Sequence, residues 1–303
     1  MENKMSFRTI NQKFVVLLLR ALSHFPFWVL YLKSDFLSFL IEYVVRYRRT
    51  VIDENLRYAF PEKSKKELET IRKKYYRHLS DLAVETLKLH SIKGKKIEHR
   101  ILFKNTDLLT KYITKEKGVI VLAMHQNNWE WGSYMQTKTD AKILEVYNKM
   151  RDNVPFDNFL LKARGKWGGE GVVMSSAART AFNYSAMKKP VILWLAADQS
   201  APQNSPFWTL FMNREAAFFS GPVKISQKLN QPLFFQRTRK VARGIYEIEF
   251  ELLFEEPAKV SSEEILKAYV RKMEKVIREE PEYYLWSHRR WKHTRPEGTK
   301  LIS

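Results

Sequence analysis

The chain has 303 residues and carries 53 Lys and Arg against 33 Asp and Glu, a formal net charge of +20 that calls for an anionic partner. Hydrophobic residues make up 45% and aromatics 14%, enough for a real core, which excludes a disordered basic tail. Cysteine is absent, which excludes disulfides, thiolate zinc sites, iron–sulfur clusters and a cysteine nucleophile.

Residues 14–32 form an apolar run interrupted by Arg20, Ser23, His24 and Pro26, and residues 36–45 form a shorter one. The first is long enough for a bilayer core, but a central arginine costs roughly 2.5–3.5 kcal/mol on insertion scales. No small-residue cleavage site follows, so it is not read as a removable signal. Arg46, Arg48 and Arg49 come next, and positive charge beside an apolar segment favours the cytoplasmic side. Residues 1–49 are therefore expected to be a hydrophobic anchor with a basic juxtamembrane segment, spanning once or lying in the interface. The alternative for the same residues is a buried helical hairpin. Residues 50–303 are expected to form one catalytic domain.

Residues 61–90 read as an amphipathic helix with Ile71, Tyr75, Leu79, Leu82 and Leu89 near one face and a lysine- and arginine-rich opposite face. The short continuous apolar run of residues 118–124 predicts a strand buried on both faces. Beyond it the spacing predicts a helix over 129–136, a strand over 142–147, a helix over 155–164, and strands over 171–174 and 190–196 with a helix from about 175 between them. Residues 218–229, 232–237 and 244–254 read as helix, strand and strand, and 261–277 as a long amphipathic helix. Strands alternating with helices imply a mainly parallel sheet covered on both faces, with ligands beyond the carboxyl ends of its strands.

The end of the first central strand reads His125-Gln-Asn-Asn-Trp-Glu130. If Asn128 caps the following helix, Glu130 lies in its first turn and can point back to the imidazole. A carboxylate accepting one ring N–H fixes the tautomer and leaves the other nitrogen to take a proton from a hydroxyl. The spacing by itself is weak evidence and leaves a structural histidine at a strand end as the default. Asp198 and Gln199 end the 190–196 strand and open a loop rich in aromatics, which suits a pocket for a long apolar substrate or, alternatively, an ordinary capped turn over core aromatics. Arg151 and Arg164 lie between strands. Residues 288–296 crowd cations, including Arg289 and Arg290, around Trp291, and arginine forks suit phosphate. Neither a phosphate loop, a GxGxxG, an HExxH nor a G-x-S-x-G is present, and the histidines lack metal-site spacing; no cofactor or metal is expected.

Four blocks in order carry a resemblance: ENLRYAFPEKS at 54–64, HQNNWE at 125–130, ADQS at 197–200 and YLWSHRRWKHTRP at 284–296. Over nearly its whole length the chain resembles the bacterial lipid A biosynthesis acyltransferases, the lauroyl/myristoyl transferase family within the broader lysophospholipid acyltransferase group. The resemblance implies an α/β fold, an αβα sandwich anchored to the cytoplasmic face of the inner membrane. It implies transfer of a fatty acyl group from an acyl carrier protein thioester to a hydroxyl of an anionic lipid A precursor. His125 matches the general base and Glu130 its orienting carboxylate; Arg164, Asp198 with Gln199, and the basic block with Arg289 and Arg290 match the substrate site. Gln-Asn-Asn stands where many members have Phe-Gly-Asn. Two competing classes are a nucleic-acid-binding protein, disfavoured by the apolar N-terminal segment, and a membrane-surface scaffold without activity, disfavoured by the His125/Glu130 pair. Within the family reading, the alternative acceptor is another glycolipid, a phospholipid or an aminolipid.

Overall fold

A computed structural model describes residues 7–302; the first six residues of the expected anchor lie outside the described residues. The N-terminal segment is α1 (Phe7–Ser23) and α2 (Phe27–Phe39), a π-helical turn (Leu40–Val44), α3 (Arg49–Ala59) and α4 (Lys65–Leu89). The apolar run 14–32 is thus two helices rather than one. Pro26 is extended (φ −64°, ψ 156°) at the start of α2, and proline both lacks a backbone donor and turns the preceding residue away from helix. No helix among the described residues is long and apolar enough to cross a membrane. The long helix α4 begins at a capping box, Ser64 accepting from the Glu67 N–H while Glu67 accepts from Ser64, which supplies partners for two otherwise orphaned donors.

The chain continues as α5 (Gly94–Glu98), β1 (Ile101–Phe103), α6 (Thr106–Lys111), β2 (Val119–Ala123), a 3-10 segment (Glu130–Lys138), β3 (Lys142–Tyr147), α7 (Val154–Arg164), β4 (Glu170–Val173), α8 (Ala177–Ala186) and β5 (Val191–Ala196). A hairpin, β6 (Phe207–Phe211) and β7 (Arg214–Phe218), precedes α9 (Gly221–Leu229), β8 (Leu233–Ala242), β9 (Ile245–Phe254), α10 (Ser262–Glu279) and β10 (Leu301–Ile302). The main sheet has the order β1-β9-β8-β2-β5-β3-β4, parallel except for the β8/β9 pair; a second sheet has the order β10-β6-β7.

The expected α/β sandwich with a mainly parallel mixed sheet is present. Its two cores lie on opposite faces, as period-2 alternation requires. Ile120, Leu122, Leu193 and Leu195 pack with α8, α9 and α10 on one face; Val119, Val121, Ile192 and Trp194 pack with Trp131, Met135 and Ala163 on the other. Each fully buried Val, Ile or Leu contributes roughly 1.5–3 kcal/mol by leaving water, so β2 and β5 are the anchors of the sheet. Gly118 immediately precedes β2, where any Cβ would collide with the Val191 carbonyl.

Three departures from the sequence pattern stand out. The expected helix 129–136 is a 3-10 segment. Helix 218–229 begins only at Gly221, because residues 214–218 are a strand. The aromatic loop expected after Gln199 is largely the β6–β7 hairpin, whose two-residue turn, Met212 and Asn213, is left-handed at both positions (φ 48° and 68°). Such a turn normally announces itself with glycine, and here it does not.

Candidate active site

Sheet register places the central pair. Ala123 of β2 lies opposite Ala196 of β5, so two residues beyond each strand end His125 faces Asp198. The His125 Nδ1 is 2.7 Å from Asp198 Oδ1, and the His125 backbone N–H donates to Oδ2 at 3.0 Å. Asp198 is 1% exposed. The turn is held from outside as well: Leu285 N–H donates to the His125 carbonyl, and Asn127, left-handed at φ 55°, donates its amide to the Thr238 carbonyl. Asparagine tolerates that conformation better than most residues.

Asp198, not Glu130, therefore takes the imidazole N–H. Glu130 does begin the segment after Asn128, but its carboxylate turns to Arg164, accepting from Nε at 2.8 Å and Nη2 at 2.6 Å, and from Trp129 Nε1 at 3.1 Å. A two-pronged arginine–carboxylate pair is geometrically specific and strong, and it outcompetes a single bond to the ring. Burial pulls the His125 imidazolium down, yet the Asp198 carboxylate, with Glu130 behind it, outweighs burial and raises His125 above its ordinary value. Burial pushes Asp198 and Glu130 up, but His125 and Arg164 respectively hold both below the usual carboxylate range.

The other ring nitrogen faces outward, 3.4 Å from Gln199 Nε2. Beside it opens a cavity of about 390 Å³ that His125, Glu130, Arg164 and Gln199 share with Leu160, Met174, Ala177, Trp194 and Ile225. Glu145 also lines it; burial pushes that carboxyl up to about 8, and its Oε1 has no hydrogen-bond partner among the described residues. A second cavity of about 760 Å³, between α1, α2, α4 and α7, meets the first at Trp129, Glu130 and Leu160 and reaches Lys33, Arg48 and His288.

Arg290 is not at the surface. It is 1% exposed beneath the hairpin, donating to the Ala217 carbonyl and lying 4.2 Å from the Phe218 ring centroid; burial pulls it below the ordinary arginine value. Its neighbour Arg289 is exposed, as is Arg151. The residue of this block that does approach the site is His288, whose Nε2 accepts the Ser200 N–H at 3.0 Å and which burial pulls down to about 4. The ENLRYAFPEKS block is scaffolding for the same region: Asn55 donates to the carbonyls of Trp286 and His288. His288 was legible only as one more cation in a basic run. Among the described residues no three His, Asp or Glu side chains gather as a metal site requires.

A hydrogen-bonded His–Asp pair at the carboxyl ends of parallel strands, open to an apolar cavity with a paired arginine in its wall, is an arrangement that can activate a hydroxyl against an acyl group. Residues 1–293 match the model of the bacterial lipid A biosynthesis acyltransferase family, so the chain belongs to that family and is an acyltransferase. It is 25% identical over 282 residues to the lipid A biosynthesis lauroyltransferase of Escherichia coli (strain K12), covering 90% of this chain and 88% of that protein. It is 24% identical over 262 residues to the lipid A biosynthesis palmitoleoyltransferase of the same strain and to a lipid A biosynthesis acyltransferase of Shigella flexneri, covering in each case 84% of this chain and 82% of the relative.

Proposed function

We propose that this enzyme transfers a fatty acyl group from an acyl carrier protein thioester to a hydroxyl of a lipid A precursor at the cytoplasmic face of the inner membrane. The observation that carries the reading is His125 set between Asp198 and the apolar cavity. Asp198 holds the ring with its proton on Nδ1, so Nε2 is the base. It takes the proton of the acceptor hydroxyl as the oxygen attacks the thioester carbonyl; the imidazolium, stabilised by Asp198, then protonates the departing pantetheine thiolate. No covalent acyl-enzyme forms.

The oxyanion needs donors at the cavity wall. Gln199 Nε2 lies beside the His125 ring and Arg164 is fixed nearby by Glu130, so Glu130 serves catalysis by aiming Arg164 rather than by orienting His125. The exposed apolar side chains of α1 and α2, among them Phe14, Leu17, Trp28, Leu32 and Phe36, with Lys33, Arg46 and Arg48 nearby, suit helices lying in the membrane interface.

The test is acyl transfer in vitro from a carrier-protein thioester to a purified lipid A precursor, read by mass spectrometry. The wild type should add one acyl group and His125→Ala should lose activity by roughly 10²–10⁴-fold. Full activity in folded His125→Ala would sink the mechanism, and acylation only of phospholipids or aminolipids would sink the acceptor.

A further inference from the structure

Glu85 lies near the C-terminal end of α4, is 0% exposed and lines neither cavity. Three donors from three parts of the chain converge on its carboxyl group. Tyr31 of α2 donates to Oε1 at 2.9 Å; Asn128 Nδ2 at 2.7 Å and Tyr246 of β9 at 2.8 Å both donate to Oε2. The Glu85 carbonyl accepts from Trp131 Nε1 at 3.0 Å. Asn128 sits between His125 and Glu130, and its Oδ1 accepts the Trp131 N–H at 3.1 Å, closing the start of the 3-10 segment.

An amide presents a donor on one side and an acceptor on the other. Turned over, Asn128 would set its oxygen against the Glu85 oxygen and its NH₂ against the Trp131 N–H, two repulsive contacts in a buried site. Glu85 thereby fixes the orientation of Asn128, and Asn128 fixes where the chain leaves His125 and where Glu130 begins. We infer that Glu85 is a positioning residue for acyl transfer, one that sets the His125–Glu130 turn through Asn128 and ties that turn to helix α2. The inference rests on the acyl-transfer reading above. Burial pushes the Glu85 carboxyl up to about 7, so the role does not need a full negative charge and an amide of the same shape should serve.

The experiment measures kcat, KM and thermal unfolding for E85A, E85Q, N128D and E85Q/N128D beside the wild type in the transfer assay. A displacement of the turn by about 1 Å can cost on the order of 10²-fold in rate. Accordingly E85A should lose at least about 30-fold in kcat with KM within twofold, and E85Q should stay within about threefold of wild type. N128D, which opposes two carboxylates, should be impaired, and E85Q/N128D should recover kcat because the donor and acceptor have merely changed places. The swap decides the matter even if E85A does not fold. Unimpaired kcat in folded E85A, a loss confined to KM, or an E85Q/N128D variant no better than N128D would overturn the inference alone; an inert wild type would overturn the acyl-transfer reading and with it this role.

Discussion

At the scale of single residues, the His125–Asp198 pair has a pH signature. As the proposed base His125 must be neutral, and its pKa is raised because Asp198 outweighs burial. Activity should therefore fall on the acid side at a pH above the ordinary histidine value near 6.5. In Asp198→Asn the raising interaction is gone, so the acid limb should move to lower pH. The tautomer is also no longer fixed, and maximal kcat should drop roughly 10²–10⁴-fold. A limb that stays in place in kcat/KM profiles of this variant would mean that another group titrates. The linkage to stability runs in two directions. The raised His125 contributes stability that is full below the unfolded histidine value and fades as pH rises through the folded one; the depressed Asp198 contributes stability present above its unfolded value and lost as pH falls through the folded one. The pair is thus worth most between the two, where one is protonated and the other is not.

At the scale of elements, what the sequence revealed depended on range. Continuous apolar runs gave β2 and β5, because burial on both faces leaves only one reading of VIVLA and VILWLA. His125 was legible from its place at the end of such a strand. Its true partner was not: Asp198 is 73 residues away and reaches it only through the parallel register of β2 and β5, whereas Glu130 is near in sequence and was pulled aside by Arg164, whose approach depends on α7 packing. The β6–β7 hairpin was hidden by a left-handed turn without glycine, and Arg290 by a burial that a basic run does not suggest. The N-terminal helices were legible in composition but not in shape, since Pro26 decides between one span and two shorter helices. Trp28 and Phe36 are 67% and 64% exposed on α2, so replacing both by serine removes apolar surface without opening the core. The double variant should unfold within about 1–2 °C of wild type yet float poorly with anionic vesicles, about tenfold less than wild type. Equal flotation would remove the exposed face of α2 from the proposed membrane contact.

At the scale of the whole molecule, a charge of +20 acts over distances that no single contact spans. The proposed site is a buried cluster of near-balanced charge, Glu130 with Arg164 and Asp198 with His125, so the surplus is a property of the surface. Surface charge governs encounter, and its effect decays over a Debye length of about 10 Å at 0.1 M salt. The proposed donor is an acidic carrier protein, whose approach that surplus would steer. A neutral acyl-pantetheine carries the same reacting thioester without the charge. Raising salt from 50 to 300 mM in neutral detergent should increase KM for the carrier-protein donor roughly tenfold while kcat holds. With acyl-pantetheine KM should start high and stay within about twofold across the same range. An equal rise for both donors would show that salt acts on the acceptor or on the fold, and would remove the surface charge from donor recognition.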